Sequence, residues 1–179
     1  MRIKRKDKNK SQVSEIKSWV LSSVLVLLMM LFINKFIIFR AYIPSESMFP
    51  TIKKHDQLIV LKLYKLDNLK RGDILVFESE ELNDLLIKRL IGLPGDEISI
   101  INGKVIVNGE VIQENYVENN EFDYTGKFKV PDGKYFFLGD NRSKSNDSRY
   151  WNNHYIDSED IVGKALIRVY PFKEFGTLK

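Results

Sequence analysis

An apolar stretch near the N-terminus constrains this sequence more than any other feature. It runs from Trp19 to Phe39, and only Asn34 and Lys35 interrupt it, close to its end. As a helix these 21 residues rise roughly 32 Å, which is enough to cross the hydrocarbon of a bilayer. Lys35 lies about one turn from the end, where its side chain can extend to the headgroups. We therefore predict a transmembrane anchor over residues 18–39.

Two other interpretations of this stretch stay open. A cleaved signal peptide needs a small-x-small site after the apolar run, but Phe39-Arg40-Ala41-Tyr42 stands there instead. A buried core helix of a soluble protein is the second alternative. The flanking charges and the length of the run favour an uncleaved anchor over both.

The excess of basic residues lies before the anchor. The first ten residues hold six of the 28 Lys and Arg and one of the 24 acids, so the rest of the chain is nearly neutral. This pattern predicts a cytoplasmic tail at 1–17 and a single-pass protein of the cell membrane whose remaining chain lies outside. A nucleic-acid-binding domain would carry its basic residues on the folded part, so we expect no nucleic acid as a partner.

The chain contains no cysteine, which excludes disulfides, thiolate zinc sites and sortase-like chemistry. Only two histidines are present, His55 and His154, and both lie in polar stretches. We therefore expect neither a metal nor a cofactor.

Residues 40–179 predict a mostly β, extracytoplasmic domain. Asn102-Gly103 and Asn108-Gly109 are typical of tight hairpins, because both residue types tolerate positive φ. A smaller inserted β region is expected at about 97–135, in which the polar segment 113–131 forms an exposed excursion or a small subdomain. Short apolar runs bounded by polar residues, Gly or Pro predict strands at 58–63, 74–77, 85–93, 98–101, 104–107, 110–112, 134–138 and 161–169.

The first segment with chemical potential follows the anchor. Pro44 and Pro50 restrict the backbone of the segment between them, which contains Ser45 and Ser47. A stiff loop suits a nucleophile whose attack geometry must be held. A juxtamembrane linker with turn serines is the alternative interpretation.

The second segment is a predicted strand with Lys88 and Arg89 between apolar residues. Side chains alternate across a strand, so the two must point to opposite faces, and one of them can face the interior. A buried lysine has a lowered pKa and can be neutral near pH 7, as a general base must be. The alternative is an edge-strand lysine that discourages aggregation.

The third segment, 138–149, combines two Asp, two Arg and three Ser. Such a loop can be ordered by Asp–Arg pairs and by side-chain bonds to the backbone, although a solvated loop has a similar composition. Neither histidine offers an evident relay for a serine. The Ser-Lys form of nucleophilic catalysis needs only a serine and a desolvated lysine, and both are present.

With these segments in view, the chain resembles the bacterial type I signal peptidases, the membrane-anchored Ser-Lys leader peptidases. Four motifs carry the resemblance, which extends from Trp19 onward: Pro-Ser-Glu-Ser-Met-Phe-Pro-Thr at 44–51, Arg-Gly-Asp-Ile-Leu-Val-Phe at 71–77, Lys-Arg-Leu-Ile-Gly-Leu-Pro-Gly-Asp at 88–96 and Gly-Asp-Asn-Arg-x-x-Ser-x-Asp-Ser-Arg at 139–149. The single anchor and small size are similar to the Gram-positive branch.

The resemblance implies a role for each matching residue. Ser47 would be the nucleophile, and neutral Lys88 would take its proton and later activate water. Ser145 would orient Lys88 by a hydrogen bond, and the Ser45 hydroxyl with the Ser47 amide would form the oxyanion hole. Supporting ion pairs would join Asp140 to Arg89 and Asp147 to Arg149, and Ala41 and Ile43 would line pockets for small residues at −1 and −3 of the substrate.

The implied fold is a β-rich catalytic domain with a small second β region, and the implied partners are preprotein signal peptides and the lipid bilayer. Met48 and Phe49 are expected to enter the membrane interface. Two other classes of protein stay open as alternatives. A self-cleaving repressor-type Ser-Lys protease would carry a DNA-binding domain in place of the anchor. A non-enzymatic anchored β domain would lack an assembled Ser47–Lys88 pair.

Overall fold

One long helix, α1, occupies Ile3–Phe36. A computed structural model describes residues 3–178, with residues 3–14 described through their backbone alone. Within α1 the 22 residues Glu15–Phe36 have a mean hydropathy of 2.2, and none of this segment is buried. Its length and composition make it a candidate membrane span, whereas a core helix of a soluble protein would bury such side chains.

The helix ends before the predicted end of the anchor. The amide of Ile37 still donates to the carbonyl of Ile33 at 2.8 Å, but the chain is extended from Ile38 onward. The run at 36–39 consists of Phe and Ile, which favour a strand over a helix once the chain can join a sheet. The prediction that the helix continues to Phe39 was therefore wrong.

The second unit of the chain begins at Phe39 and is built on two sheets. The larger sheet contains β1 (Ile38–Tyr42), β2 (Gln57–Lys62), β3 (Ile74–Ser79), β4 (Asp84–Gly92), β9 (Lys134–Leu138), β10 (Ile156–Asp157), β11 (Ile161–Tyr170) and β12 (Gly176–Thr177). Its strand order is β1-β2-β11-β3-β4-β9-β10, and β12 pairs with β11. Short 3₁₀ turns occupy Arg142–Lys144, Ser158–Asp160 and Phe172–Glu174.

The central strand β3 is apolar on both faces. Ile74 and Val76 belong to a core that also contains Met48, whereas Leu75 and Phe77 belong to a second core on the other face. Burial of both faces explains why this strand has a continuous apolar run rather than an alternating one. In the same sheet β4 pairs with β3 so that Leu75 lies opposite Lys88.

The smaller sheet has the order β7-β6-β5-β8. Its strands are β5 (Glu97–Ile101), β6 (Lys104–Val107), β7 (Glu110–Val111) and β8 (Gly126–Lys129). Asn102 and Asn108 have φ of 49° and 53°, which confirms the two predicted Asn-Gly hairpins. A third core joins this sheet to β9 through Phe136 and Leu138.

All eight strands predicted from the sequence are present, within one or two residues at each end. Four strands were missed. β1 continues the apolar run of the helix in sequence, β8 is a partly exposed strand at the end of the small sheet, and β10 and β12 have two residues each. Such strands carry too few alternating positions to be recognised locally.

Candidate active site

The segment after β1 presents Ser47 from a turn that its apolar neighbours fix in place. Met48 and Ile52 are 1% and 0% exposed, and the amide of Ile52 donates to the carbonyl of Met48 at 2.8 Å. Ser47 itself is buried. The segment is thus a packed turn rather than a linker. The expectation that Met48 enters the membrane interface was wrong, because its side chain lies in the first core.

Lys88 and Ser47 lie in direct contact. The Nζ of Lys88 is hydrogen-bonded to the Oγ of Ser47 at 2.6 Å, although the two residues are 41 positions apart in the sequence. Lys88 is 4% exposed and Arg89, its neighbour on β4, is 3% exposed. The side chains of Lys88 and Arg89 are therefore both buried, although the alternation of a strand required only one of them to face the interior. The interpretation of Lys88 as an edge-strand lysine in solvent was wrong.

Burial lowers the pKa of Lys88 to about 8 from an ordinary value near 10.5. The main cause is the loss of hydration of the ammonium, and Arg149 adds a smaller effect in the same direction. Asp147 and Asp140 oppose the shift by favouring the charged form. With this pKa, about one Lys88 in ten is neutral at pH 7, compared with fewer than about one in a thousand for a free lysine.

The two serines expected to assist have different positions. Ser45 is exposed, and its Oγ lies 3.4 Å from the Oγ of Ser47, at the edge of hydrogen-bond distance. Ser145 is 5% exposed, but its Oγ makes no hydrogen bond to any residue that the structure describes. The expected bond from Ser145 to Lys88 is thus not formed in this state, and the hydroxyl stays buried without a partner.

Gly139 brings Ser145 close to the nucleophile segment. A Cβ at position 139 would lie well under 3.0 Å from the Oγ of Ser145 and from the carbonyl oxygen of Ser47. Real Cβ atoms do not approach other atoms so closely, so only glycine fits here without movement. The main chain at 139 therefore sets the separation between the Ser47 turn and Ser145.

A buried ion pair joins β4 to the third segment. Arg89 donates to Asp140 through Nε at 2.8 Å and through Nη2 at 2.7 Å. The Arg89 Nη1 also donates to the carbonyl of Gly72 at 2.8 Å, and the Thr51 hydroxyl donates to Asp140. Each of the four motifs that carried the resemblance contributes one member of this network: Thr51, Gly72, Arg89 and Asp140. This network ties those motifs together around Lys88.

A second ion pair stabilises the 139–149 segment from within. Arg149 donates to Asp147 through Nε at 2.8 Å and through Nη2 at 3.0 Å. Asp147 in turn accepts the backbone amide of Gly139 at 2.9 Å. The segment is therefore a buried, ordered loop, and its interpretation as a solvated loop was wrong.

A groove of about 440 Å³ runs beside the Ser47–Lys88 pair. Its walls come from β1 and the segment that follows, including Ala41 and Ile43, and from the first half of β4, 84–88. Ile43 is 3% exposed, so it forms part of the floor rather than a projecting wall. Both residues expected to form small pockets thus line the same groove as Ser47.

The two histidines are engaged elsewhere. His154 Nδ1 contacts the carbonyl of Ser148 at 2.7 Å, and His55 Nδ1 contacts the hydroxyl of Tyr42. Among residues 3–178, the groups of His, Asp and Glu side chains that the structure describes include none suited to hold a metal ion. The basic group that contacts Ser47 is the lysine.

The profile of the family described as signal peptidase, peptidase S26, matches residues 16–170, which is most of the chain. The chain belongs to this signal peptidase family. It is therefore a peptidase, and its apolar helix α1 is compatible with the membrane anchor of such enzymes.

Two relatives agree with this membership. The chain is 40% identical over 155 residues to a signal peptidase I of Leptolyngbya laminosa, which covers 82% of this chain and 75% of that protein. It is 37% identical over 180 residues to the signal peptidase IB of Staphylococcus aureus strain COL, over 90% of this chain and 93% of that one. A crystal structure of a signal peptidase I from Enterococcus faecalis V583 is 33% identical and covers 56% of this chain and 98% of that chain, with a TM-score of 0.47.

One residue of this signal peptidase-family site was missed although its neighbours were singled out. The backbone amide of Asn141 donates to the carbonyl of Ser47 at 3.0 Å, and its side-chain amide donates to the carbonyl of Glu46 at 3.0 Å. Asn141 therefore clamps the turn that carries the nucleophile candidate. Its place between Asp140 and Arg142 was the only signal in the sequence.

Three more residues were missed because they lie in 113–131, the segment predicted as an exposed excursion or small subdomain. Glu114, Tyr116 and Glu121 instead contact the buried arginines around the site, namely Arg142, Arg89 and Arg149. Single acidic or aromatic residues in a polar segment give no local indication of such contacts. The segment is exposed at about half of its positions and its end forms β8 of the small sheet, but these three residues also make it part of the site's surroundings.

Proposed function

We propose that this chain removes N-terminal signal peptides from exported preproteins at small-x-small sites, through a Ser-Lys acyl-enzyme mechanism. The observation that carries the proposal is the buried 2.6 Å contact between the Nζ of Lys88 and the Oγ of Ser47. A serine needs an adjacent base to become a nucleophile, and a lysine can act as that base only when it is neutral. The lowered pKa of Lys88 supplies the neutral form.

In the first half-reaction, the Oγ of Ser47 attacks the carbonyl carbon of the scissile bond while neutral Lys88 takes the hydroxyl proton. The Ser47 amide and the Ser45 hydroxyl stabilise the oxyanion, and each such donor typically contributes about 3–4 kcal/mol to the transition state. The Lys88 ammonium then gives its proton to the departing amine, which leaves as the new N-terminus of the mature protein. The signal peptide stays bound to Ser47 as an ester.

In the second half-reaction, Lys88 is again neutral and takes a proton from a water molecule as the water attacks the ester carbonyl. The proton returns to the Oγ of Ser47, and the signal peptide leaves with a free carboxyl group. Ser145 lies beside the Ser47 segment and would orient Lys88 by a hydrogen bond during the reaction. That role explains why a buried hydroxyl is retained without a partner in the free enzyme.

The groove suits an extended peptide. Among the described residues, β4 pairs with β9 only from Arg89 onward, so the edge of 84–88 that faces away from β3 has no strand beside it. β1 is the end strand of the sheet order. A substrate in β conformation can bond to such edges through its main chain, while its alternate side chains enter the groove. Ala41 and Ile43 then leave room for small side chains at −1 and −3.

The anchor would place this chemistry at the membrane. The basic residues before α1 favour a cytoplasmic N-terminus, so the β-rich unit would lie on the outer side of the cell membrane. A signal peptide's apolar segment occupies the same bilayer, so enzyme and substrate would meet by diffusion within the plane of the membrane. Signal peptides and the bilayer are thus the proposed partners.

Cleavage of a purified preprotein in detergent micelles tests the proposal directly. We expect the wild type to cut after a small-x-small sequence, and Ser47→Ala and Lys88→Ala each to reduce kcat by at least about 10³-fold, because the dyad acts as a unit. Ser158→Ala and Lys104→Ala are matched controls, since both replace exposed residues of the same types that do not line the groove. They should cleave like the wild type.

An inactive wild type, or normal cleavage by Lys88→Ala, would overturn the assignment and favour an anchored binding domain. The N-terminal sequence of the product gives the cut site. Cleavage after bulky residues at −1 would contradict the small pockets at Ala41 and Ile43.

A further inference from the structure

Three buried arginines lie on β4 and in the 139–149 segment, which carry Lys88 and the clamp on the Ser47 turn, and one segment of the small β region contacts all of them. We call residues 114–124 the strap. Three of its side-chain contacts are Glu114 with Arg142, the ring of Tyr116 with Arg89, and Glu121 with Arg149, and Tyr124 also donates its hydroxyl to the carbonyl of Arg149 at 3.1 Å. The arginines are 3–5% exposed, so these contacts replace water that the guanidinium groups have lost.

The contact between Glu114 and Arg142 is the most enclosed of the three. Arg142 Nη1 donates to Glu114 Oε2 at 3.0 Å, and Nη2 donates to Oε1. The side chains are 9% and 3% exposed. Tyr116 donates its hydroxyl to Glu114 Oε1 at 2.8 Å, and its ring lies 3.8 Å under the Arg89 guanidinium. Glu114 is the one carboxylate that the described ion pairs assign to Arg142.

Arg142 passes this contact on to the nucleophile turn. Its Nε donates to the carbonyl of Gly139 at 3.0 Å, which fixes the main chain at the position where no Cβ fits. Two residues later, Asn141 holds the carbonyls of Ser47 and Glu46. The path from the strap to Ser47 thus consists of buried and partly buried hydrogen bonds, with one residue, Asp140, between Gly139 and the Asn141 clamp.

We propose that Glu114 is a positioning residue for the peptidase reaction: it holds Arg142 so that the 139–141 main chain keeps Ser47 in place against Lys88. The inference rests on the proposed Ser47–Lys88 function and adds a residue that lies outside the four motifs. It also gives the 113–131 segment a role.

The charge of Glu114 is the essential property. A glutamine at 114 would keep the size of the side chain but leave the Arg142 guanidinium buried without a counter-charge. The guanidinium would then turn toward other acceptors or toward water and release the Gly139 carbonyl. A misplacement of about 1 Å at a nucleophile can reduce turnover about 10²-fold, so a small shift at Gly139 is enough to measure.

The main experiment compares Glu114→Gln with Glu118→Gln. Both substitutions remove one charge from the strap, but Glu118 is exposed and its carboxylate is in none of the described hydrogen bonds or ion pairs. With the full-length enzyme in detergent micelles and a preprotein with Ala at −1 and −3, we expect Glu114→Gln to lower kcat at least tenfold with KM within twofold of wild type. Glu118→Gln should retain wild-type kcat.

The pH profile separates positioning from a change in the base. Glu114 is not among the groups that shift the pKa of Lys88. We therefore expect the activity of Glu114→Gln to be lower by the same factor at every pH, with the midpoint of the profile unchanged. A midpoint that moves by a full pH unit would mean that Glu114 acts on the charge of Lys88, which contradicts the proposal.

A double-variant cycle tests the route through Arg142. If Glu114 acts only by holding Arg142, then Glu114→Gln combined with Arg142→Gln should be no slower than Arg142→Gln alone. Independent effects that multiply in the double variant would overturn this route.

A pair of apolar replacements provides the control for a variant that fails to fold. Replacing both members of a buried ion pair by apolar residues of similar size is often neutral for stability. If Glu114→Gln unfolds at the assay temperature, Glu114→Met with Arg142→Met provides the test, and a folded double variant with wild-type kcat rejects the proposal. Ser47→Ala is assayed in parallel: an active Ser47→Ala refutes the proposed function, whereas an inactive one with a normal Glu114→Gln refutes only the role of Glu114.

Discussion

Arg89 and Asp140 form a two-bond ion pair in which neither side chain is more than 4% exposed. The pair joins β4 to the 139–149 segment over 51 positions of sequence, directly beside Lys88 on the strand. Burial removes the water that would otherwise compensate each charge, so each partner depends on the other. This dependence makes the pair a sensitive point of the fold as well as of the site.

Asp140→Asn should destabilise the β-rich unit by about 3–5 kcal/mol, because it leaves the Arg89 guanidinium buried without its counter-charge. Urea unfolding measured by tryptophan fluorescence gives the loss. Asp132→Asn is the matched control, since Asp132 lies in an exposed turn and its replacement should change stability by less than about 0.5 kcal/mol. Equal stabilities of the two variants would show that the Arg89 guanidinium does not depend on Asp140 as its counter-charge.

The rate should rise with pH through an apparent pKa of about 8, because only the neutral form of Lys88 can take the Ser47 proton. Below that value the neutral fraction, and with it kcat/KM, grows about tenfold per pH unit; above about pH 9 the rate should level off. Steady-state cleavage of a peptide substrate between pH 6 and 10.5 measures this profile. A rate that still rises steeply at pH 10 would indicate a lysine with an ordinary pKa.

Lys88→Met should stabilise the fold at neutral pH while it abolishes activity. The pKa of Lys88 is lower in the folded protein than in the unfolded chain, so the unfolded chain binds the proton more tightly and stability rises with pH between about 8 and 10.5. At pH 7 the wild type is therefore less stable by about 3 kcal/mol than it would be without this charge. Urea unfolding of both proteins should show a gain for Lys88→Met at pH 7 that shrinks toward pH 10.5. A gain that does not depend on pH would be a packing effect instead.

The sequence predicted the strands well because their apolar runs are short, regular and separated by Gly, Pro and Asn. It failed at 36–39, where the apolar residues continue from the end of the helix into β1. Hydropathy reports that a residue avoids water, but it does not distinguish a bilayer from a sheet. The end of the helix depends on which of these the chain meets.

The sequence identified more of the residues at the centre of the candidate site than of the residues around it. Ser47, Lys88 and the partners of Arg89 lie in motifs whose residues are close in sequence, and the resemblance transferred their expected roles. Glu114 could not be found this way, because its importance comes from a contact with Arg142 at 28 positions' distance. A single charged residue acquires such a role only through the tertiary fold.

Ser145→Ala should lower kcat without lowering stability. The buried Ser145 hydroxyl has no hydrogen-bond partner among the described residues, so its removal leaves no group unsatisfied and changes the free energy of unfolding by less than about 1 kcal/mol. Ser148→Ala provides the contrast: the Ser148 Oγ accepts the amide of Phe137 at 2.9 Å, and its loss should destabilise the protein by about 1–3 kcal/mol. Wild-type kcat for Ser145→Ala would remove Ser145 from the proposed mechanism.

Gly139→Ala tests how tightly the nucleophile turn is held. The added Cβ would overlap the Ser145 Oγ and the carbonyl oxygen of Ser47, so one of them must move. Moving the Ser47 main chain changes the direction of its Oγ relative to Lys88, and we expect kcat to fall by about 10²-fold, with a stability loss of about 1–3 kcal/mol from overpacking. Gly176→Ala is the matched control, because a Cβ there meets open space and the backbone needs no positive φ. If Gly139→Ala cleaves preprotein as fast as Gly176→Ala, the turn adapts to the extra methyl group, and the separation at Gly139 does not control the geometry of Ser47.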